Sequence, residues 1–252
     1  MRILLLSDIH SNLEALEACL GAAPACDVVV NLGDIVGYGA SPNEVIERSR
    51  ELGKIFVRGN HDKACSGSSN MLGFNPIAGM AVLWTRTMLR PQNLAWLRDL
   101  PAGPAHVDSL QEVQFVHGSP VDEDEYLLLM ADAVHSFQAT QPPVTFFGHT
   151  HIQGGFLAGQ DDAATIRPVL HKGAPETETF VFSLDRKCRY LINPGSVGQP
   201  RDGDWRAAFA VFDSDAWKVT YYRVPYDVQQ AAQRIVKAQL PGRLATRLIE
   251  GR

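Results

Sequence analysis

Five short apolar runs recur along the first 150 residues, and a small polar cluster follows each of them directly. The runs are rich in β-branched and aromatic residues and lack polar alternation, which is typical of strands buried on both faces. They occupy residues 3–6, 28–32, 55–57, 113–116 and 144–147. Ligands of open α/β sheets bind beyond the carboxyl ends of the strands. The pattern therefore predicts that the five polar clusters meet at one edge of a sheet.

Apolar residues at helical spacing fill most of the intervals between these strands. Helices are predicted over residues 12–22, from Pro42 onward, from Pro76 to about residue 89, over residues 93–100 and over residues 126–139. Ser11 or Asn12 can cap the first of them, and both prolines stand where proline is favoured, in the first turn. The alternation of strands and helices indicates an α/β arrangement for this part of the chain.

Strand patterns dominate after residue 151, and helical patterns return later. Strands are predicted over residues 155–158, 165–170, 179–184, 189–192, 209–213 and 217–224. The segment Asp213-Ser214-Asp215 suits a hairpin turn between the last two. A helix is predicted from Tyr226 onward, with a break at Pro241-Gly242 before a last short helix. Because no repeat or low-complexity linker interrupts the sequence, we expect one domain over residues 1–252, with a helical extension over about 226–252.

The composition narrows the classes of partner. The 252 residues carry a formal net charge of -5, and lysine and arginine form no run, which disfavours a nucleic-acid-binding surface. The four cysteines form no C-x-x-C pair and are expected to be inert thiols in a reducing compartment. No apolar stretch has the length of a signal peptide core or of a membrane span. We therefore expect a cytoplasmic protein without a membrane partner.

The polar clusters after the strands combine carboxylate, amide and imidazole groups. They are Asp8-Ile9-His10, Gly33-Asp34, Gly59-Asn60-His61-Asp62, His117-Gly118 and Gly148-His149-Thr150-His151. Side chains two apart share one face of a strand. If the strands continue through these clusters, Asp8 and His10 point to one site, and so do His149 and His151.

Such a set of ligands suits two metal ions. The two oxygens of Asp34 could each bind one of two ions about 3.5 to 4 Å apart, as in two-metal hydrolytic sites. Asn60 would add a neutral carbonyl oxygen. The absence of a thiolate from the set favours Mn, Fe, Zn, Co or Ni. Glycines stand beside the candidate ligands, where a missing side chain lets the backbone come close to an ion or a substrate.

Taken in order, the clusters resemble the motifs of the calcineurin-like metallophosphoesterase superfamily. The resemblance covers residues 1–151 and extends through Asn193-Pro194-Gly195-Ser196-Val197-Gly198, which is similar to a segment of its small bacterial and archaeal phosphodiesterase branch. It implies an α/β (α+β) fold in the form of a four-layer αββα sandwich, and hydrolysis of phosphate esters with two divalent metal ions. Manganese is the first expectation for these ions, and Fe, Zn, Co or Ni are the alternatives.

The resemblance also implies a role for each residue that matches a motif. The first metal would be bound by Asp8, His10, Asp34 and His151. The second would be bound by Asp34, Asn60, His117 and His149. The general acid that protonates the leaving alkoxide would be His61, with Asp62 orienting its ring. A hydroxide held between the two ions would attack phosphorus in line.

Several of these residues also have purely structural interpretations. Asp8 could cap the end of a strand, and Asp34 could be a turn residue. His61 could be a structural histidine whose hydrogen bonds are satisfied by Asp62. Ser119 follows His117-Gly118 and is a candidate serine nucleophile, but the absence of a G-x-S-x-G elbow around it disfavours that role. The segment 193–198 is either a tight loop alone or a loop that contacts phosphate. Three histidines lie outside the strand-end pattern and are predicted on the surface: His106, His135 and His171.

One departure from the superfamily pattern narrows the substrate class. Phosphoprotein phosphatases and symmetrical dinucleoside tetraphosphatases continue Gly-Asp with Val-Asp-Arg-Gly, whose arginine clamps phosphate. Here the chain reads Gly33-Asp34-Ile35-Val36-Gly37-Tyr38-Gly39, so that Tyr38 stands in place of that arginine. A phosphoprotein phosphatase is therefore disfavoured. The candidates for binding the substrate are Asn12, Tyr38 and Arg201, and the alternative for Arg201 is a surface salt bridge with Asp202 or Asp204.

These observations predict a phosphoesterase for small phosphorylated substrates, with diesters favoured over phosphoproteins. A phosphomonoesterase or nucleotidase is the alternative within the enzyme class. A non-catalytic metal-binding scaffold is the alternative outside it, and His61 disfavours this because such scaffolds lose the catalytic histidine. A nuclease would need a basic approach surface, which the charge balance does not indicate. The oligomeric state is not predicted, because the C-terminal helices could pack on their own domain or on a second subunit.

Overall fold

Two six-stranded sheets form the centre of the molecule. The computed structural model of the protein describes residues 1–53, 55–71, 73–160 and 162–252. The first sheet has the order β3 (Ile55–Phe56), β2 (Val28–Asn31), β1 (Arg2–Leu6), β11 (Ala207–Asp213), β12 (Lys218–Val224) and β9 (Glu178–Ser183). The second has the order β4 (Ala105–Val107), β5 (Leu110–Phe115), β6 (Val144–Phe146), β10 (Arg189–Asn193), β7 (Gly154–Ala158) and β8 (Ala163–Ile166).

Each sheet contains a block of parallel strands. β1, β2 and β3 run parallel in the first sheet, and β5, β6 and β10 run parallel in the second. All five predicted strands of the first 150 residues belong to these two blocks. The polar clusters therefore leave the carboxyl ends of parallel strands, as the apolar pattern predicts.

Helices cover the outer faces of both sheets. In the described part of the chain they are α1 (Leu13–Ala22), α2 (Pro42–Leu52), α3 (Asn60–Ser66), α4 (Pro76–Met88), α5 (Pro91–Arg98), α6 (Met130–Ala139), α7 (Val228–Lys237) and α8 (Gly242–Glu250). Helices α1 to α5 share one apolar core with the outer face of the first sheet. Helix α6 packs on the second sheet, where Phe137 shares an apolar cluster with Phe147, just after β6, and with Leu191 of β10. The result is the four-layer αββα sandwich.

Alternate residues of β1 serve two different cores. Ile3 and Leu5 face the second sheet and pack in the core between the sheets. Leu4 and Leu6 face the helices and pack in the outer core. Because both faces of the strand are covered from Ile3 to Leu6, these four positions are apolar, and this explains the uninterrupted run in the sequence.

Two predicted elements differ from the observed ones, and two observed elements were not predicted. The predicted helix 126–139 begins only at Met130, because the Asp132 carboxylate accepts hydrogen bonds from the backbone N–H groups of Leu128 and Leu129 and thereby starts the helix there. The predicted strand 165–170 ends at Ile166, shortly before Pro168, which cannot donate to a strand ladder. Helix α3 and strand β4 are too short for their periodicity to predict them.

The C-terminal helices pack on the rest of the fold near residue 38. Asp227 caps α7 by accepting from the Gln230 N–H at 2.9 Å. Apolar residues of α7 and α8, among them Ile235 and Leu244, share a cluster with Tyr38. The predicted hairpin turn at 213–215 is present between β11 and β12.

Two further features concern the chain as a whole. None of the helices among the described residues has the length and apolar composition that crossing a bilayer requires. The four cysteines carry free thiols, of which Cys19 and Cys65 are buried.

Candidate metal centre

The loops that follow five parallel strands meet at one place and bring the predicted ligands together. Two groups of side chains each hold their ligand atoms within 4.8 Å of one another. The first group contains Asp8, His10, Asp34 and His151, and the second contains Asp34, His117 and His149. Asp34 belongs to both groups, which is the arrangement that two neighbouring cations sharing one carboxylate require.

Asp34 lies at the centre of the cluster. Its Oδ2 is 3.5 Å from His10 Nε2 and 3.5 Å from His117 Nε2. Asn60 approaches from the second group, with its Oδ1 3.4 Å from His117 Nε2. His151 Nε2 lies 3.3 Å from an oxygen of Asp8. The atoms that face one another here are carboxylate oxygens, an amide oxygen and imidazole nitrogens, which are the atoms that a cation between them would bind.

Backbone carbonyls fix the orientation of three histidines. The Nδ1 atoms of His10, His117 and His151 lie 3.0, 2.7 and 2.6 Å from the carbonyl oxygens of Val36, Leu32 and Gln199, respectively. A proton on each Nδ1 satisfies these carbonyls. The Nε2 atoms of neutral His10 and His151 then have a lone pair toward the cluster, and His117 Nε2 gains one when His117 loses its second proton. His10 Nε2 and His151 Nε2 are then 3.1 Å apart with their lone pairs facing. A divalent cation removes this repulsion, so the residues fit a metal site.

His149 has the opposite orientation. Its Nε2 lies 3.1 Å from the Asp124 carbonyl oxygen, which leaves Nδ1 as the nitrogen available to a cation. The Tyr126 ring stacks on the His149 ring with their centroids 3.8 Å apart. The loop that contains residues 124 and 126 therefore holds a ligand of the second group.

The ligand loops contain an unusual concentration of left-handed backbone. Nine non-glycine residues of the described chain have a positive φ, and seven of them lie in this region: Asp8, His10, Ser11, Asp34, Tyr38, His149 and His151. Such conformations are costly for residues with a Cβ and persist where the surroundings enforce them. Their clustering at the ligands is typical of a functional site.

This backbone corrects one step of the sequence-based argument. Asp8 and His10 do not continue strand β1, and His149 and His151 do not continue β6. The members of each pair share a target because both adopt φ between 48° and 66°, and not because they alternate along a strand. The convergence is as predicted, and the geometry that produces it is different.

Two glycines allow the ligand loops to approach closely. A Cβ on Gly59 would lie 2.0 Å from Asp34 Oδ1, and a Cβ on Gly148 would lie 2.1 Å from Ser7 Oγ. Both distances are far below van der Waals contact. The sequence predicts that these glycines let the backbone come close to an ion or a substrate. In the structure, Gly59 comes close to the Asp34 side chain, and Gly148 comes close to Ser7, which donates to Asp8 at 2.6 Å.

The segment 193–198 supports the ligand loops from behind. The Asn193 side chain donates to the Gly148 carbonyl at 2.7 Å, and the Ser196 hydroxyl donates to the Asp8 carbonyl at 2.8 Å. The Val197 N–H donates to the Ser7 carbonyl at 2.9 Å. Of the two interpretations of this segment, the hydrogen bonds favour a structural loop that positions Asp8 and the histidine loop.

Burial and mutual charge set the protonation of the cluster. Burial raises the pKa of Asp8 to about 7. Burial also acts to raise the pKa of Asp34, but the neighbouring histidines, chiefly His117, hold it well below the usual range. The pKa of His117 rises to about 9 in spite of burial, because Asp34 stabilises its charge. Cation binding at this site would displace a proton from His117.

The remaining histidines of the cluster favour the neutral form. Burial lowers the pKa of His10 and His151 well below the usual range. Burial and the charge of His117 lower the pKa of His149 to about 3. Neutral imidazole is the form that binds metal ions.

His61 lies beside the ligands, at the start of α3. Its backbone N–H donates to Asp34 Oδ1 at 2.8 Å. Its ring packs against Tyr38, His10 and Phe74, with centroid distances of 4.3, 4.8 and 4.8 Å. Burial lowers its pKa to about 4. Its Nδ1 is buried and has no hydrogen-bond partner among the described residues.

Asp62 does not orient the His61 ring, contrary to what the resemblance implies. Its two carboxylate oxygens accept from the backbone N–H groups of Val36 at 3.1 Å and Gly59 at 3.0 Å. Side chains of adjacent helical residues do not face each other, which explains the difference. Asp62 instead joins the start of α3 to the loop after Asp34, so its contribution is to the position of the loops.

An open cleft of about 390 Å³ adjoins the second group of ligands. Its lining includes His61 and three aromatic side chains: Tyr38, Phe74 and Tyr126. Lys63 also lines it, but its ammonium group is paired with Glu123 at 2.9 Å and with Asp124 at 2.6 Å. The described wall of the cleft therefore combines three aromatic rings with polar side chains such as Asn60 and Asn75, and its lysine is already paired with carboxylates.

The three candidates for substrate binding have different positions. The Asn12 side chain caps α1 by accepting from the Ala15 N–H at 3.1 Å and donates to the Gly198 carbonyl at 2.9 Å. Both of its polar atoms are thus engaged within the fold, which disfavours its assignment to the substrate. Tyr38 lines the cleft, and Arg201 donates to the Tyr38 hydroxyl at 3.4 Å.

The alternative interpretation of Arg201, a surface salt bridge with Asp202 or Asp204, is wrong. Asp202 pairs with Arg223, and Asp204 pairs with Arg206 at 2.8 Å. Arg201 therefore turns toward Tyr38 and the cluster and forms no surface salt bridge with its acidic neighbours.

Other predicted residues lie away from the cluster or serve the backbone. The Ser119 hydroxyl accepts from the N–H groups of Val121 and Asp122 in a turn, which disfavours a nucleophilic role. The three histidines predicted on the surface, His106, His135 and His171, are exposed.

Four residues near the site were not predicted. Tyr126 and Asp124 hold His149, Phe74 packs on His61, and the Arg247 guanidinium lies 5.9 Å from the Tyr38 ring centroid. None of them follows a parallel strand or belongs to a motif, so the sequence carries no signal for them.

Comparison with known proteins identifies relatives over the full chain. The model of the calcineurin-like phosphoesterase superfamily domain matches residues 1–216. An uncharacterized protein of Methanocaldococcus jannaschii is 38% identical over 252 residues, which cover 99% of this chain and 98% of the relative. The crystal structure of a metallophosphoesterase from Sphaerobacter thermophilus is 40% identical, with a TM-score of 0.84 over 100% of this chain and 99% of that one.

A more distant structure has the same fold. The crystal structure of a hypothetical protein from Pyrococcus horikoshii is 20% identical, with a TM-score of 0.78 over 100% of this chain and 98% of that chain. The fold thus persists where most of the sequence differs.

Proposed function

The chain belongs to the calcineurin-like phosphoesterase superfamily, and on that premise we propose that it is a dinuclear-metal phosphodiesterase of small substrates. The observation that carries the proposal is the pair of ligand groups that share Asp34. In this assignment Asp8, His10 and His151 complete one site, and Asn60, His117 and His149 complete the other. Manganese is the proposed metal, because the set consists of oxygen and imidazole ligands.

The residues of the chain position the substrate and move the proton. Two divalent cations, when bound, supply charge neutralisation for the phosphate and activation of water. His61 is the proposed general acid, and the hydrogen bond from its backbone to Asp34 ties its position to the ligand groups. The ring is neutral in the cluster, and the negative charge of a phosphate placed beside it would favour its protonated form. Tyr38 and Phe74 exclude water from two sides of the ring.

The cleft favours a diester over a monoester or a phosphoprotein. A diester carries one negative charge and a second organic arm, and the rings of Tyr38, Phe74 and Tyr126 in the cleft offer contact area for that arm. A monoester dianion would gain most from a free cation in the cleft itself, whereas the lysine that lines the cleft, Lys63, is neutralised by its acidic partners. The clamp arginine of the phosphoprotein phosphatases is replaced by Tyr38.

Domain organisation and location are part of the same proposal. We assign residues 1–252 to one domain, because α7 and α8 share an apolar cluster with Tyr38 of the cleft. Four free thiols fit a reducing compartment, and we propose a cytoplasmic location on that basis.

Turnover of two matched substrates tests the proposed function. Metal-stripped protein reconstituted with Mn²⁺ is expected to hydrolyse bis(p-nitrophenyl) phosphate with a higher kcat/KM than p-nitrophenyl phosphate. The metal-stripped sample is the control and should be inactive on both. Preference for the monoester would replace the proposal with the phosphomonoesterase or nucleotidase. Bound metal without turnover of either substrate would favour the non-catalytic scaffold.

A further inference from the structure

Two arginines from distant parts of the chain lie over one tyrosine beside the metal centre. The guanidinium carbons of Arg201 and Arg247 are 5.7 and 5.9 Å from the centroid of the Tyr38 ring. Arg201 Nη2 donates to the Tyr38 hydroxyl at 3.4 Å and to Gln199 Oε1 at 3.2 Å. Two cationic side chains thus lie around the tyrosine that follows the Gly33-Asp34 motif.

Neither arginine is neutralised by an acidic side chain. The carboxylates of Asp202 and Asp204 are engaged by Arg223 and Arg206. Arg247 donates through Nε to the backbone oxygen of Arg252 at 2.7 Å, and Arg201 Nε is buried without a hydrogen-bond partner in the described chain. Among the residues that the structure describes, no Asp or Glu forms a salt bridge with Arg201 or Arg247.

The two charges also repel each other and the proposed cations. Burial and the charge of Arg201 both lower the pKa of Arg247. The charge of Arg201 also acts on His10 and His151, which places it close to the first ligand group. Guanidinium groups held near each other and near a cation site are stabilised when an anion lies between them. Arg201 and Arg247 are both partly exposed.

We infer that Arg201, Arg247 and the Tyr38 hydroxyl bind a second anionic group of the substrate, separate from the phosphate that is hydrolysed. This inference rests on the proposed function and narrows its substrate class to phosphodiesters that carry a phosphate or a carboxylate on one arm. Because the superfamily model ends at residue 216, Arg247 of helix α8 lies outside the part of the chain that it matches. The C-terminal helices therefore contribute to specificity.

Direct binding of matched diester analogues tests this inference. Methyl(butyl)phosphinate, methyl(3-carboxypropyl)phosphinate and methyl(3-phosphonopropyl)phosphinate present the same monoanionic phosphinate with a neutral, a carboxylate or a phosphonate arm. Their P–C bonds are not hydrolysed, and the phosphonate arm stands in for a phosphate. Calorimetry on Mn²⁺-loaded protein is expected to give a Kd for the charged ligands about tenfold lower than for the neutral one, as one charge-assisted contact would provide. The order of the two charged ligands distinguishes a phosphate-bearing from a carboxylate-bearing substrate.

Variants of two arginines on the same helix supply the control. Arg247→Met is expected to remove the preference for the charged arm, measured as the ratio of Kd values within one protein. Arg243→Met, which changes an exposed arginine of α8, should retain that ratio. An equal Kd for all three ligands in the wild type, or an unchanged ratio in Arg247→Met, would overturn the inference. Turnover of bis(p-nitrophenyl) phosphate is measured separately, so that loss of the proposed function is distinguished from loss of this subsite.

Discussion

Replacement of Asp34 by asparagine is expected to lower phosphodiester turnover about a thousandfold, because a shared metal ligand supplies several kcal/mol of transition-state stabilisation. The Oδ1 atom of residue 34 accepts the His61 backbone N–H at 2.8 Å, and the amide of the variant can keep this bond only through its oxygen. Its NH2 group then occupies the position of Oδ2, between His10 and His117. A donor at that position repels cations from both sites.

The Asp34→Asn measurement combines kcat/KM with the number of Mn²⁺ ions retained per chain. Asp108→Asn removes an exposed carboxylate in the connection between β4 and β5 and should behave as the wild type. Near-normal turnover in Asp34→Asn would mean that residue 34 only shapes a turn, which is the structural interpretation of this residue.

Replacement of His61 by asparagine is expected to lower turnover of an alkyl diester by roughly a hundredfold to ten-thousandfold, the range for loss of a general acid. An alkoxide is a poor leaving group and requires a proton, whereas p-nitrophenolate does not. The loss should therefore be far smaller for bis(p-nitrophenyl) phosphate than for a dialkyl diester. This dependence on the leaving group separates a general acid from a residue that only supports the fold.

Metal content and a surface histidine provide the controls for His61→Asn. The variant should bind as much Mn²⁺ as the wild type, since His61 is not a member of either ligand group. His135→Asn changes an exposed histidine of α6 and should retain turnover of both substrates. An equal loss with both leaving groups would argue against the acid role and for a structural histidine.

The sequence predicts the ligand set because short buried strands end where polar residues begin. Apolar runs such as residues 3–6 have both faces covered, so their ends are sharp, and in this fold the carboxyl ends of parallel strands define the site. Asp34 could be placed at the centre because its carboxylate has two oxygens. The four layers likewise follow from the motif order through the resemblance.

The rest of the site geometry depends mainly on contacts between residues that are distant in the chain. The left-handed backbone at Asp8 and His10 is enforced by hydrogen bonds to the loop after β2, which no local pattern encodes. Asp62 binds backbone N–H groups 26 and 3 residues away and not the adjacent ring. Arg247 reaches Tyr38 only because α8 packs on the loop that contains Tyr38. Propensity and periodicity report on neighbours in sequence, so none of these contacts is visible there.

The number of Mn²⁺ ions that activate the protein tests the central claim most directly. Metal-stripped wild-type protein is titrated with Mn²⁺ while bound metal and phosphodiester turnover are measured in the same samples. Two ligand groups that share Asp34 predict two bound ions per chain, with most of the turnover appearing as the second site fills. Full turnover with one ion per chain, or folded protein that binds none, would contradict a dinuclear phosphoesterase.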